Sequence, residues 1–145
     1  MNTGSPADSA DRAPNAYLDH AAAGVALLLW AADPAQPERL ATPFFHAAAA
    51  AALELPVEIY FTARSVHLLV PGVAAALRAA PQATHSVLDH LRQAHAHGAR
   101  LFACTEALNA QGLSGRNLIP ECSGHGGAVQ FMARAGNLRW RALVF

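Results

Sequence analysis

The chain contains no lysine: all ten of its basic side chains are arginine. A Schiff-base or lysine-nucleophile mechanism is thereby excluded. In so alanine-rich a chain, the all-arginine usage reads as a compositional bias. Ten acidic residues balance the ten arginines, and only 14% of the chain is charged. No basic face is expected, which argues against nucleic-acid partners. Disorder of the whole chain is excluded as well, because 53% of its residues are hydrophobic. Long apolar runs are missing. Residues 44–55 come nearest, but they are mostly Ala, include His46 and Glu54, and fall short of the ~20 residues a membrane span needs. The N-terminus lacks the charged start and apolar centre of a secretory leader. Two cysteines without such a leader are expected to be reduced thiols in the cytoplasm. At 145 residues the chain is long enough for one domain with a full core.

What the sequence does have is organised around residues 98–112, GARLFACTEALNAQG. Residues 100–103 are dominated by large apolar side chains, as in a short buried parallel strand. Cys104 follows, and residues 105–111 read as a helix stopped by Gly112. A strand thus delivers a thiol to the start of a helix, where free backbone N–H groups and the helix dipole favour a thiolate. In an open α/β sheet, ligands and chemistry collect at the carboxyl ends of the strands.

The remainder reads as scaffold. Residues 1–20 form a polar tail, with a short ordered piece expected at Tyr17-Leu18. Residues 21–145 form the domain. Residues 24–31 (GVALLLWA) read as a central strand, closed by a turn at Asp33-Pro34. Thr42-Pro43 opens an alanine-rich helix limited by Pro56. Residues 57–61 (VEIYF) form the second strand, and the loop after it brings Arg64 and Ser65 to the rim that holds Cys104. Residues 66–69 continue apolar until Pro71-Gly72, and Leu68-Leu69-Val70 then lies in a connecting loop. Such a run is rarely left bare, so self-association is expected. A short helical piece occupies 72–79, and Ser86 caps a helix over 87–97. His85, His90, His95 and His97 cluster there without a metal-ligand spacing, and they read as a solvated helix face. Leu118-Ile119 reads as a very short strand. The last helix spans 124–135, led in by Gly124-His125-Gly126-Gly127, and a final strand covers 139–145. Strand–helix alternation of this kind predicts an α/β fold of three layers, α/β/α, around a mainly parallel sheet of about five strands.

Three segments carry a family resemblance. LFACTEALNAQGL (residues 101–113) resembles the strand–Cys–helix segment of the DsrE/DsrF/DsrH family, which includes the TusBCD sulfur-relay subunits. Residues 117–145, NLIPECSGHGGAVQFMARAGNLRWRALVF, resemble that family's ending, and VEIYFTARSVHLLVPG resembles its second strand and loop. Two departures stand out. Arg64-Ser65 occupies the place of an acidic–glycine pair, and Cys122 replaces an apolar or aromatic residue.

The resemblance implies a cytoplasmic, sulfurtransferase-like persulfide carrier. Cys104 would accept sulfane sulfur from a donor protein and pass it to an acceptor, without cofactor or metal, in a trimer or hexamer. The expected binding rim is Arg64, Ser65, Thr105, Glu106, Cys122, Gly124, His125 and Gly126. Two other functions fit the same residues. One is a non-catalytic module binding a small ligand or partner at that rim. The other is a thiol–disulfide protein in which Cys122, at the carboxyl edge beside Cys104, acts as the resolving thiol. A metal held by either cysteine with His125 is a further alternative.

Overall fold

A computed structural model describes residues 21–145; the expected tail and the Tyr17-Leu18 piece lie outside them. Its strands are β1 (Gly24–Leu29), β2 (Val57–Phe61), β3 (Arg100–Ala103), β4 (Cys122–His125) and β5 (Trp140–Val144). They form one sheet in the order β4-β3-β2-β1-β5, and every pairing is parallel. The helices are α1 (Ala41–Ala52), α2 (Val73–Ala76), α3 (Val87–Ala96), α4 (Thr105–Ala110) and α5 (Ala128–Ala135).

Strand periodicity sorts side chains onto two unequal faces. Val25, Leu27 and Leu29 of β1, Ile59 and Phe61 of β2, and Leu101 and Ala103 of β3 point into the main core, under α1, α3 and α4. Small alanines at 47, 48 and 51 bring α1 close to the sheet. α3 begins with a full capping box: Ser86 Oγ accepts from the Asp89 N–H, and the Asp89 carboxylate accepts from the Ser86 N–H. The opposite face has a small core of Ala26, Tyr60, Phe102 and Phe131, and α5 covers it. The three layers are therefore present but lopsided.

Local expectations and structure differ at three places. Thr42 and Pro43 lie inside α1, whose N-cap position is Leu40 with no side-chain cap. Leu118-Ile119 is not a strand; β4 begins later, at Cys122, and α5 starts only at Ala128. The strand was hidden because CSGH has no apolar run, and it sits at the sheet edge over a bulge. Leu101 pairs with Cys122 but Phe102 pairs with Gly124, so Ser123 is the extra residue, and Gly124 takes the left-handed backbone (φ 153°) the bulge requires. Finally, the Leu68-Leu69-Val70 run is not bare. It ends a 3-10 segment, Ala63–Leu69, and all three side chains are buried in the main core. This run therefore gives no reason for self-association. Among the described residues, no helix is long and apolar enough to cross a membrane.

Candidate functional site

The chain direction around the sheet creates one crevice. The segments after β1, β2 and β3 cross the main-core face, and Ala107 and Leu108 of α4 pack there. The segment after β4 crosses the other face, where Phe131 of α5 packs. Adjacent strands β3 and β4 therefore send their connections to opposite sides, which opens a crevice at their carboxyl ends. Cys104 follows β3 and Gly126-Gly127 follows β4, so both sit at that point.

Cys104 is held by the backbone on both sides. Its N–H donates to Phe61 O (3.0 Å), continuing the sheet, and its carbonyl accepts from the Leu108 N–H (2.9 Å), starting α4. The Gly126 N–H donates to Ala103 O (3.0 Å), which draws the β4–α5 junction against the thiol. A Cβ on Gly127 would lie 3.3 Å from Cys104 Sγ, and one on Gly126 would lie 3.0 Å from Phe102 Cβ and 2.8 Å from Gln130 Oε1. Only glycine fits this approach without displacement. Within Gly124-His125-Gly126-Gly127, close packing is therefore the role of the second pair of residues.

The thiol opens onto a cleft of about 320 Å³ walled by Leu28, Trp30, Tyr60, Phe131 and Met132; Phe61, Thr62 and residues 126–128 also line it, but the Phe61 ring points into the main core. Tyr60 presents its ring and not its hydroxyl chemistry, because the hydroxyl donates to Glu58 Oε2 (2.5 Å). Glu58 also accepts a two-pronged bond from Arg134, Nε to Oε2 and Nη2 to Oε1, each 2.9 Å. Arg134 lies over the Trp140 ring, 4.3 Å from its centroid. Burial alone would raise the Glu58 carboxyl, but the bonds from Arg134 and Tyr60 outweigh it and hold the group below the ordinary carboxylate range. Burial, and then the bond to Glu58, push the Tyr60 phenol well above its usual value. This trio ties α5 to β2 and fixes one wall of the cleft. It was not expected from the sequence; the available signal was a Glu and a Tyr two apart on one face of an otherwise apolar strand.

The residues expected at the rim separate into different places. Thr105 and Glu106 are exposed at the start of α4, and Thr105 Oγ1 lies 3.4 Å from His125 Nδ1. Arg64 turns away from the cleft. Its Nε donates to Asp33 Oδ2 at 2.8 Å, and it lines a neighbouring groove with Gln36 and Arg39. Asp33 is bonded by the Ala35 N–H and by Arg64, in that order of effect, and both lower its carboxyl. Ser65 is buried; its hydroxyl lies 2.8 Å from Leu29 O and 2.7 Å from Thr62 O, so it fixes the loop and does not face solvent.

Cys122 corrects an expectation. It does not sit at the carboxyl edge but opens β4 opposite Leu101. Leu101 is itself three residues before Cys104, which puts Cys122 about 10 Å back along the strands. The Cys122 Sγ donates toward Gly124 O (3.4 Å). It lines a separate groove of about 500 Å³ with Arg116, Asn117, Gly124 and His125. Both thiols are free. Among the described residues, no three of His, Cys, Asp or Glu gather to hold a metal. His90 packs edge-on against Phe45 (4.7 Å) and lies 6.1 Å from the His85 ring.

Fold and site together define a parallel α/β protein with one thiol at its switch-point crevice. The DsrE/DsrF-like family pattern matches residues 25–138, and the chain belongs to that family. Among solved structures, the crystal structure of the YchN protein from E. coli is similar, with a TM-score of 0.65 and 17% identity, covering 84% of this chain and 99% of that one. At that identity the likeness supports the fold. No curated protein matches the chain significantly.

Proposed function

We propose that the protein carries sulfane sulfur as a persulfide on Cys104, as a relay between a donor and an acceptor in the cytoplasm. The observation that carries this reading is the position of the Cys104 sulfur, at the switch-point crevice of a DsrE/DsrF-like chain and against a residue without a side chain, Gly127. The chemistry needs no cofactor. The Cys104 thiolate attacks the outer sulfur of a donor persulfide. The donor S–S bond breaks, its electron pair leaves on the donor's inner sulfur as a thiolate, and the outer sulfur stays on Cys104 as Cys–S–SH. An acceptor thiolate then attacks that outer sulfur and Cys104 leaves as thiolate. No net oxidation occurs.

Apolar walls favour such an adduct by keeping bulk water and competing nucleophiles away from it. Assembly into a trimer or hexamer accompanies this reading. Exposed Val129, Leu138 and Val144 supply apolar surface for it, in place of the buried 68–70 run. The pairing of Cys104 with Cys122 as a redox couple has no comparable support, given their separation along the sheet. The test is sulfur uptake from a persulfide donor. Wild type is expected to gain one sulfur atom per chain and Cys104→Ser none; equal uptake by the variant would overturn the reading.

A further inference from the structure

The walls of the Cys104 cleft carry information about what can bring sulfur to it. Trp30, Tyr60 and Phe131 are aromatic, and Leu28 and Met132 are aliphatic. Among the described residues, no Asp, Glu, His or Arg side chain lines the cleft. The nearby cations are committed elsewhere. Arg64 is paired with Asp33 in the next groove, and Arg134 gives both of its bonded nitrogens to Glu58 behind the Tyr60 ring. The Tyr60 hydroxyl is committed to the same carboxylate. An anionic body seated here would lose water and meet no cationic side chain, which is costly. A flat or branched apolar body would bury its surface against rings and the Met132 thioether at no such cost. About 320 Å³ lies at the lower end of small-molecule pockets and suits a single ring with a short sulfur-bearing arm.

We infer that the Cys104 cleft takes its sulfur partner as a small thiol or persulfide whose body is uncharged and aromatic or branched aliphatic. Anionic sulfur compounds are disfavoured. This rests on the sulfur-carrier reading and specifies its substrate class.

Two disulfide probes test the selectivity on the folded full chain carrying Cys122→Ser, so that one thiol reacts. Dithiodipyridine is uncharged and aromatic; dithionitrobenzoate is aromatic and dianionic. With each, the Cys104 thiolate attacks one sulfur of the probe, the probe S–S bond breaks, and the coloured aryl thiolate leaves. Rates are divided by those of the same chain unfolded in denaturant, which removes intrinsic probe reactivity. The normalised rate for the uncharged probe is expected to exceed that for the dianion by about tenfold or more. Met132→Arg, at a position 61% exposed and so harmless to the core, removes the thioether wall and adds a cation; it is expected to raise the dianion rate severalfold and to lower the rate of the uncharged probe, so that the ratio of the two falls. Equal normalised rates, or a dianion rate untouched by the new cation, would overturn the inference. Its failure is distinct from failure of the carrier reading. A chain that loads sulfur on Cys104 without discriminating the probes keeps the carrier function and loses this selectivity. A chain that discriminates the probes but loads no sulfur keeps the selectivity and loses the carrier function.

Discussion

Gly127 stands against the sulfur of Cys104, so close that a methyl at 127 would sit 3.3 Å from Sγ. The contact joins the ends of β3 and β4, two neighbouring strands whose following helices lie on opposite faces of the sheet. The backbone at Gly127 has φ −137°, which an L-residue can adopt, so the constraint here is space.

Gly127→Ala is therefore expected to fold with a stability change under about 1 kcal/mol and to slow sulfur uptake at Cys104 by about tenfold or more through crowding of the reacting sulfur. Thermal unfolding together with the rate of sulfur loading checks both parts. Unchanged loading in a folded variant would show that the contact does not matter.

The Glu58–Tyr60–Arg134 trio anchors α5. Arg134→Ala leaves a buried carboxylate without its partner and is expected to cost about 2–3 kcal/mol, less than for a fully buried pair because the Arg134 side chain is 37% exposed. Glu58 has a lowered carboxyl in the folded state. Its contribution is complete above the unfolded-state value of about 4.3 and fades as pH falls through the lower folded value. Denaturant unfolding followed from pH 7 down through that window should show wild type losing this contribution and Arg134→Ala having little of it to lose.

Much of this architecture was legible in the sequence because burial writes a pattern. β2 and β3 read directly from VEIYF and RLFA, and the Ser86 cap read from side-chain chemistry next to a periodic helix. β4 was not legible: its four residues CSGH carry no apolar run, and this bulged edge strand is held by backbone pairing and by Ser123 Oγ, which accepts from the Leu101 N–H. That one missing strand moved Cys122 from the rim to the β4 start. Ser65 and Arg64 were placed by proximity in sequence, whereas the 3-10 turn at Ala63–Leu69 points one inward and the other toward Asp33. At the site itself, Cys104 was visible as a thiol after a buried strand. The aromatic cleft was not, because its walls come from β1, β2 and α5 and meet only in three dimensions.

Cys122→Ser is expected to leave sulfur uptake within about twofold of wild type, because the two thiols line different grooves and lie too far apart along the strands for a disulfide. Mild peroxide followed by peptide mapping should give oxidised Cys104 without a Cys104–Cys122 bridge. A rapid intramolecular bridge would contradict this geometry.

The central claim, that Cys104 is the sulfur-bearing atom, is tested most directly by locating the sulfur. Wild-type protein is incubated with a persulfide donor, alkylated and cleaved, and each cysteine peptide is weighed by mass spectrometry before and after a chase with an acceptor thiol. One added sulfur is expected on the Cys104 peptide, lost in the chase, with the Cys122 peptide unchanged. Sulfur found on Cys122, or on neither peptide under conditions where the donor is consumed, would contradict the claim.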